Sequence, residues 1–267
     1  MGERCYYILA GETSADILAA QLMRALKKNS SEPINWIGIG GEQMEQLGLT
    51  SYRPISELSV IGILDATTSY FTLLQIAKEQ VKQIIQSRPK AIFTVDTKQF
   101  SLKFAKLLRR EMDKVGWHVP IIQFVAPTVW AWGKGRIPKM EKNLDQLLTI
   151  LPFEVDIFSK GLMQTEYVGH PLISRIAQHE YNPNWNESYG ISKEQQILSI
   201  FPGSREKEIM RNFKTQLKVA KRIQKNHETL QIAVSCSDDK LISLMKKEDP
   251  SLLIIHKNHS YELMRAS

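Results

Sequence analysis

Apolar positions along the chain follow two alternating rhythms. Short apolar runs at residues 6–10, 36–39, 91–95, 119–125 and 147–151 predict buried strands. Between them apolar residues recur every three or four positions. Ile17, Leu18, Leu22, Ala25 and Leu26 form one helix face within residues 14–28. The same spacing predicts helices over 66–87, 100–115 and 134–143. The helix over 66–87 ends before Pro89, because the residue preceding a proline is pushed out of the helical region. Strand and helix in strict alternation predict an α/β, doubly wound parallel sheet.

The pattern breaks at 179–188, a polar stretch with Pro183 and no periodicity. It then restarts, with strands expected at 197–201, 230–235 and 252–255 and helices at 207–225, 239–247 and from 260 onward. The expected division is therefore a Rossmann-like domain over 1–180, a linker over 181–192, and a second Rossmann-like domain over 193–267. Three strands make half of such a unit, so the second domain is expected to be incomplete. Two such domains predict a ligand cleft, with the informative residues directly after strands.

Charge narrows the partners only slightly. Lys plus Arg number 35 against 28 Asp plus Glu, a formal net charge of +7, which favours nucleotides, phosphorylated substrates, nucleic acid or an anionic membrane surface. Cys5 and Cys236 lie far apart with no metal-ligand spacing, which predicts reduced structural thiols in a cytosolic protein. No secretory signal is visible, and no run approaches the ~20 apolar residues of a spanning helix. Residues 60–76 are nevertheless richer in apolar side chains than one buried face requires. They predict either a lipid-contacting helix or one buried between sheet and neighbour.

Candidate chemistry lies at strand ends. In the turn containing Gly11, Ser14 and Asp16, small residues admit a sugar or phosphate; alternatively Ser14 caps the helix with the acid in its first turn. Asp96 ends a strand, as a general base or as a helix cap. Trp130 and Trp132, followed by Lys134, Arg136 and Lys139, suit an amphipathic phosphorylated substrate, or else core packing and a solvated face. His170 is a ligand or a turn cap. Gly203, Ser204 and Arg205 open a helix and place backbone donors and a cation where a diphosphate would sit.

Seven blocks, in order, resemble one family: Ala10-Gly-Glu-Thr-Ser-Ala-Asp16, Ser59-Val-Ile-Gly62, the strand end at Asp96, Ala126-Pro-Thr-Val-Trp-Ala-Trp132, Leu151-Pro-Phe-Glu154, Val168-Gly-His-Pro171 and Pro202-Gly-Ser-Arg205. The chain is similar to the lipid-A-disaccharide synthases. The resemblance implies a GT-B fold, a metal-free and cofactor-free inverting transferase, and the substrates UDP-2,3-diacylglucosamine and 2,3-diacylglucosamine 1-phosphate. It implies Asp96 as base and Arg205 at the leaving diphosphate, with Gly11, Ser14, Asp16, Trp130, Arg136, His170, Gly203 and Ser204 around the substrates. It also implies peripheral contact with lipid on the cytoplasmic face of the inner membrane, no nucleic-acid partner, and allows a homodimer. The alternatives kept open are another UDP-sugar enzyme of this fold and an inactive remnant that binds lipid or nucleotide. The chain departs from the family pattern at Ala15, where a glycine is usual, and at residues 97–101, where proline and asparagine are usual. The family's Ser-Gly-Thr block is expected beyond Ser267.

Overall fold

The computed structural model describes all residues except 1–3, 61–65, 97, 132, 204, 228 and 237, and the side chains of all of those except 59, 60, 66–70, 98, 99 and 134. The chain divides into two compact units, Met1–Ser174 and Arg175–Ser267.

The first unit runs β1 (Arg4–Ala10), α1 (Thr13–Asn29), β2 (Ile34–Gly40), α2 (Glu42–Glu45), β3 (Leu49–Pro54), α3 (Ile55–Val60), α4 (Ala66–Ser87), β4 (Ile92–Val95), α5 (Lys98–Lys114), β5 (Ile121–Phe124), α6 (Ile137–Glu141), β6 (Gln146–Thr149), α7 (Glu154–Phe158) and β7 (Gln164–Tyr167), and the division at Ser174 falls within α8 (Pro171–Ala177). Its seven strands are parallel in the order β3-β2-β1-β4-β5-β6-β7. Alternate residues of β1 enter different cores. Tyr7 and Leu9 pack with Ile84, Phe104 and Leu108, and Ile8 and Ala10 with Ala15, Ala19 and Met23. Both faces of the sheet are covered by helices, which is why its central strands read as mostly apolar runs.

Strands β3 and β7 are absent from the apolar pattern for the converse reason. Both are edge strands; Leu49 alone is buried in β3, and β7 buries nothing. The single helix expected over 134–143 is instead a 3-10 turn, Lys134–Arg136, followed by the short α6 with Pro138 in its first turn. β1 and β2 approach so closely that a Cβ on Gly38 would lie 1.9 Å from the Ile8 carbonyl oxygen, and Gly38 has φ +147°. No other residue type fits there.

The second unit contains β8 (Ile197–Ile200), α9 (Glu206–Gln224), β9 (Gln231–Ser235), α10 (Asp239–Lys246), β10 (Leu253–Ile255) and α11 (Ser260–Arg265). Its parallel sheet has the order β10-β9-β8. The segment expected as a linker is built into this unit. A 3-10 turn at Trp185–Tyr189 buries Trp185, which packs with Ile191, Ala233, Ile255 and Leu263. The buried Glu262 draws the segment in, accepting from His179 Nε2 at 2.9 Å and from the Asn182 N–H at 3.4 Å. Burial pushes the Glu262 carboxyl up, but these donors and its own backbone N–H outweigh that and hold it below its ordinary range. Polarity misled the expectation, because the segment's few apolar residues are the ones that dock.

Candidate active site

β1 pairs with β2 on one side and β4 on the other, and the chain leaves β1 and β4 in opposite directions. The carboxyl ends of these two strands form the topological switch point, where open parallel sheets bind ligands. The register pairs Ala10 with Val95, so Gly11 and Asp96 follow neighbouring strand ends. Asp96 is half-buried and has φ +40°, a conformation aspartate tolerates better than most residues. Its N–H donates to the Phe124 carbonyl at 3.1 Å, which ties the end of β4 to β5.

Val125, next along β5, has φ +72°. For a β-branched residue this costs roughly 1–2 kcal/mol. The turn is held by the Val125 N–H, which donates to Leu148 O at 2.9 Å, and by the buried Gln123 side chain. Two strained residues at adjacent strand ends fit a ligand-bearing edge, where surrounding structure must over-determine an unfavourable backbone.

The turn after β1 departs from expectation. Glu12 occupies the cap position of α1, and no side chain caps it. Ser14 lies within the first turn and donates to Glu12 Oε1 at 2.8 Å. Asp16 points inward, 3% exposed, and accepts three backbone N–H groups: Gly41 at 2.8 Å, Gln43 at 3.0 Å and Met44 at 3.2 Å. It anchors the loop after β2, and its oxygens are occupied.

After β5, Trp130 meets the block that follows β6. Its indole Nε1 donates to Glu154 Oε1 at 3.3 Å, and its ring stands edge-on to Phe153 with centroids 5.2 Å apart. Arg136 folds back over Gly133, within 3.3 Å of where a Cβ would stand. His170 accepts the Leu172 N–H at Nδ1, 3.1 Å, so it caps the start of α8. Trp132 lies outside the described residues.

In the second unit Gly203 has φ +110° and Arg205 occupies the cap position of α9 without a side-chain cap hydrogen bond. The guanidinium donates from Nη1 to Glu208 Oε1 at 3.0 Å. Glu206, also in the first turn of α9, pairs with Lys240 at 2.8 Å. An incoming diphosphate would therefore compete with carboxylates already placed at this helix start. Ser204 lies outside the described residues. Among the described residues no three His, Cys, Asp or Glu side chains converge as metal ligands.

Two contributors escaped the sequence reading. Glu154 lay inside a quoted block without a role, and Gln123 was a polar residue inside an apolar run. The second was a usable signal, since a buried amide must find partners.

Residues 6–267 match the family model described as lipid-A-disaccharide synthetase. The chain belongs to that family. It is 34% identical over 263 residues to the lipid-A-disaccharide synthase of Chlamydia abortus, covering 97% of this chain and 41% of that protein. It is 33% identical over 271 residues to that of Persephonella marina, covering 98% and 68%. The chain thus spans about two-fifths to two-thirds of the length of these relatives. A UDP-GlcNAc 2-epimerase from Neisseria meningitidis, bound to UDP-GlcNAc, superposes with TM-score 0.66 at 8% identity, over 98% of this chain and 76% of that one. The trehalose-6-phosphate synthase OtsA superposes with TM-score 0.56 at 12% identity, over 95% and 73%. At these identities the likeness is one of fold, of the GT-B type shared by sugar-nucleotide transferases and epimerases.

Proposed function

We propose that the chain contributes to the transfer of 2,3-diacylglucosamine from UDP to the 6-hydroxyl of 2,3-diacylglucosamine 1-phosphate. The bond from the anomeric carbon to the UDP oxygen breaks as the bond to the acceptor oxygen forms on the opposite face. The products are a β-1,6-linked disaccharide phosphate and UDP. The observation that carries this reading is Asp96, a half-buried carboxylate at the β1/β4 switch point on a strained strand end. In this reading Asp96 takes the hydroxyl proton as the oxygen attacks. Arg205 meets the negative charge developing on the diphosphate after exchanging Glu208 for it. Gly11 leaves room for the substrate beside Asp96. Trp130, Arg136 and His170 contact the sugar, its phosphate or its acyl chains.

Acylated substrates place the reaction at a membrane surface, on the cytoplasmic face of the inner membrane. Among the described residues no helix is long and apolar enough to cross one. The test is UDP release from the two acylated sugars. Asp96→Asn is expected to lower turnover by about 10²–10⁴-fold with donor binding retained. Turnover unchanged in that variant removes Asp96 as the base. Arg205→Ala is expected to lower the rate about 10²-fold.

A further inference from the structure

The loops after β5 and β6 bring two aromatic rings together at the carboxyl edge of the first unit's sheet. Trp130 and Phe153 stand nearly perpendicular, at 85°, and remain 37% and 45% exposed. Neighbouring aromatic rings usually bury their outer faces unless something else covers them. The indole N–H, the one polar group of the pair, points away from solvent. It is taken by Glu154, which is 2% exposed and also accepts the Leu151 N–H at 3.2 Å. An indole carries one polar handle, its N–H, which usually finds a partner when buried. Here the handle is consumed internally, and what faces outward is hydrocarbon.

We infer that Trp130 and Phe153 form a subsite for an acyl chain of the substrate, and that Glu154 is the positioning residue that holds it. This rests on the function proposed above. A carboxylate suits the positioning task because it has acceptor sites for both N–H groups at once. By accepting from Leu151 it stiffens the turn that carries Phe153, and by accepting from Trp130 it fixes the indole against that ring. Both restraints act on one corner. Preorganising the rings removes an ordering cost that a flexible chain would otherwise incur on binding.

The test is equilibrium binding of glucosamine 1-phosphate and of 2,3-diacylglucosamine 1-phosphates of graded, soluble chain length. With the wild-type chain, affinity is expected to rise about two- to fourfold per added methylene, while the chain is short enough to lie on the rings. Trp130→Ala and Phe153→Ala should flatten that slope, and Phe153→Ala, at a residue with no assigned contact to the sugar or its phosphate, should leave glucosamine 1-phosphate binding unchanged. Glu154→Gln should shallow the slope in the wild-type background and do nothing further in Trp130→Phe, which lacks the N–H. Circular dichroism and thermal melts identify any variant that fails to fold, and Trp130→Phe, which retains an aromatic ring, then carries the comparison. Variants that bind with the wild-type slope overturn the subsite and leave the proposed function standing. Variants that lose acylated and plain sugar phosphate equally also overturn it. A wild-type chain that binds neither ligand overturns the function itself, and the subsite with it.

Discussion

The Thr94 hydroxyl donates to Gln123 Oε1 at 2.5 Å across β4 and β5, and both side chains are buried. From its other end the Gln123 amide donates to the carbonyls of Phe124 and Val125, each at 3.2 Å. The Phe124 oxygen also accepts the N–H of Asp96. One amide therefore sits beneath both strained strand ends. Gln123→Leu is expected to destabilise the first unit by about 1–3 kcal/mol, because the Thr94 hydroxyl is left buried without an acceptor. Adding Thr94→Val should recover part of that loss, since removing both partners is less costly than removing one. Urea unfolding of the two singles and the double checks this. Strictly additive losses would show that the pair is not coupled.

Asp16 is expected to act on stability rather than on binding. Asp16→Ala strips acceptors from three backbone N–H groups and should cost about 2–4 kcal/mol. Asp16→Asn, which keeps the shape, should cost less. Thermal unfolding read beside UDP titration separates the roles. A variant with wild-type stability and weakened ligand binding would return Asp16 to the substrate site.

Arg205 and Glu208 form a surface pair, 66% and 41% exposed. Such pairs are worth about 0.2–1 kcal/mol, so Glu208→Gln should tighten UDP binding by roughly 1.5–5-fold at low salt. Calorimetric titration at low and high salt tests it. Unchanged or weakened affinity would mean that Glu208 orients the guanidinium rather than competing for it.

Lys221 holds the Asp249 carboxyl down to about 2, helped by the Ser251 hydroxyl and N–H. A carboxyl lowered on folding adds stability that is fully present above its unfolded value of about 4 and lost as pH falls toward 2. Lys221 is half exposed, so screening limits the contribution to about 1 kcal/mol or less. Lys221→Met should therefore shift the acid unfolding midpoint of the second unit upward by a few tenths of a pH unit and leave stability at pH 7 changed by about 1 kcal/mol or less. Circular dichroism across an acid titration provides the check.

The central strands of the first unit were legible because a strand covered on both faces is mostly apolar. β1, β2, β4, β5 and β6 each coincide with an expected run, as do β8, β9 and β10. The helix over 66–87 was legible to the residue, with Pro89 marking its end. Edge strands β3 and β7 of the first unit were not, since both are largely polar and little of either is buried; β8 and β10, also at sheet edges, were legible because Ile and Leu make up most of them. Part of the apolar 60–76 segment lies outside the described residues. Of the remainder, Ile76 turns inward and Phe71 is 71% exposed.

Asp96 was legible as a carboxylate at a strand end, and the ordered blocks were enough to indicate the family. By itself the sequence determined the kinds of element, their order, and which residues follow strands, because burial and periodicity are local properties of the chain. Only the tertiary structure decided that Asp16 faces the loop after β2 and that Glu154 grips Trp130 from another strand end. Those outcomes depend on which donors lie within about 3 Å of each acceptor once distant segments are packed. Spacing along a sequence does not encode that distance.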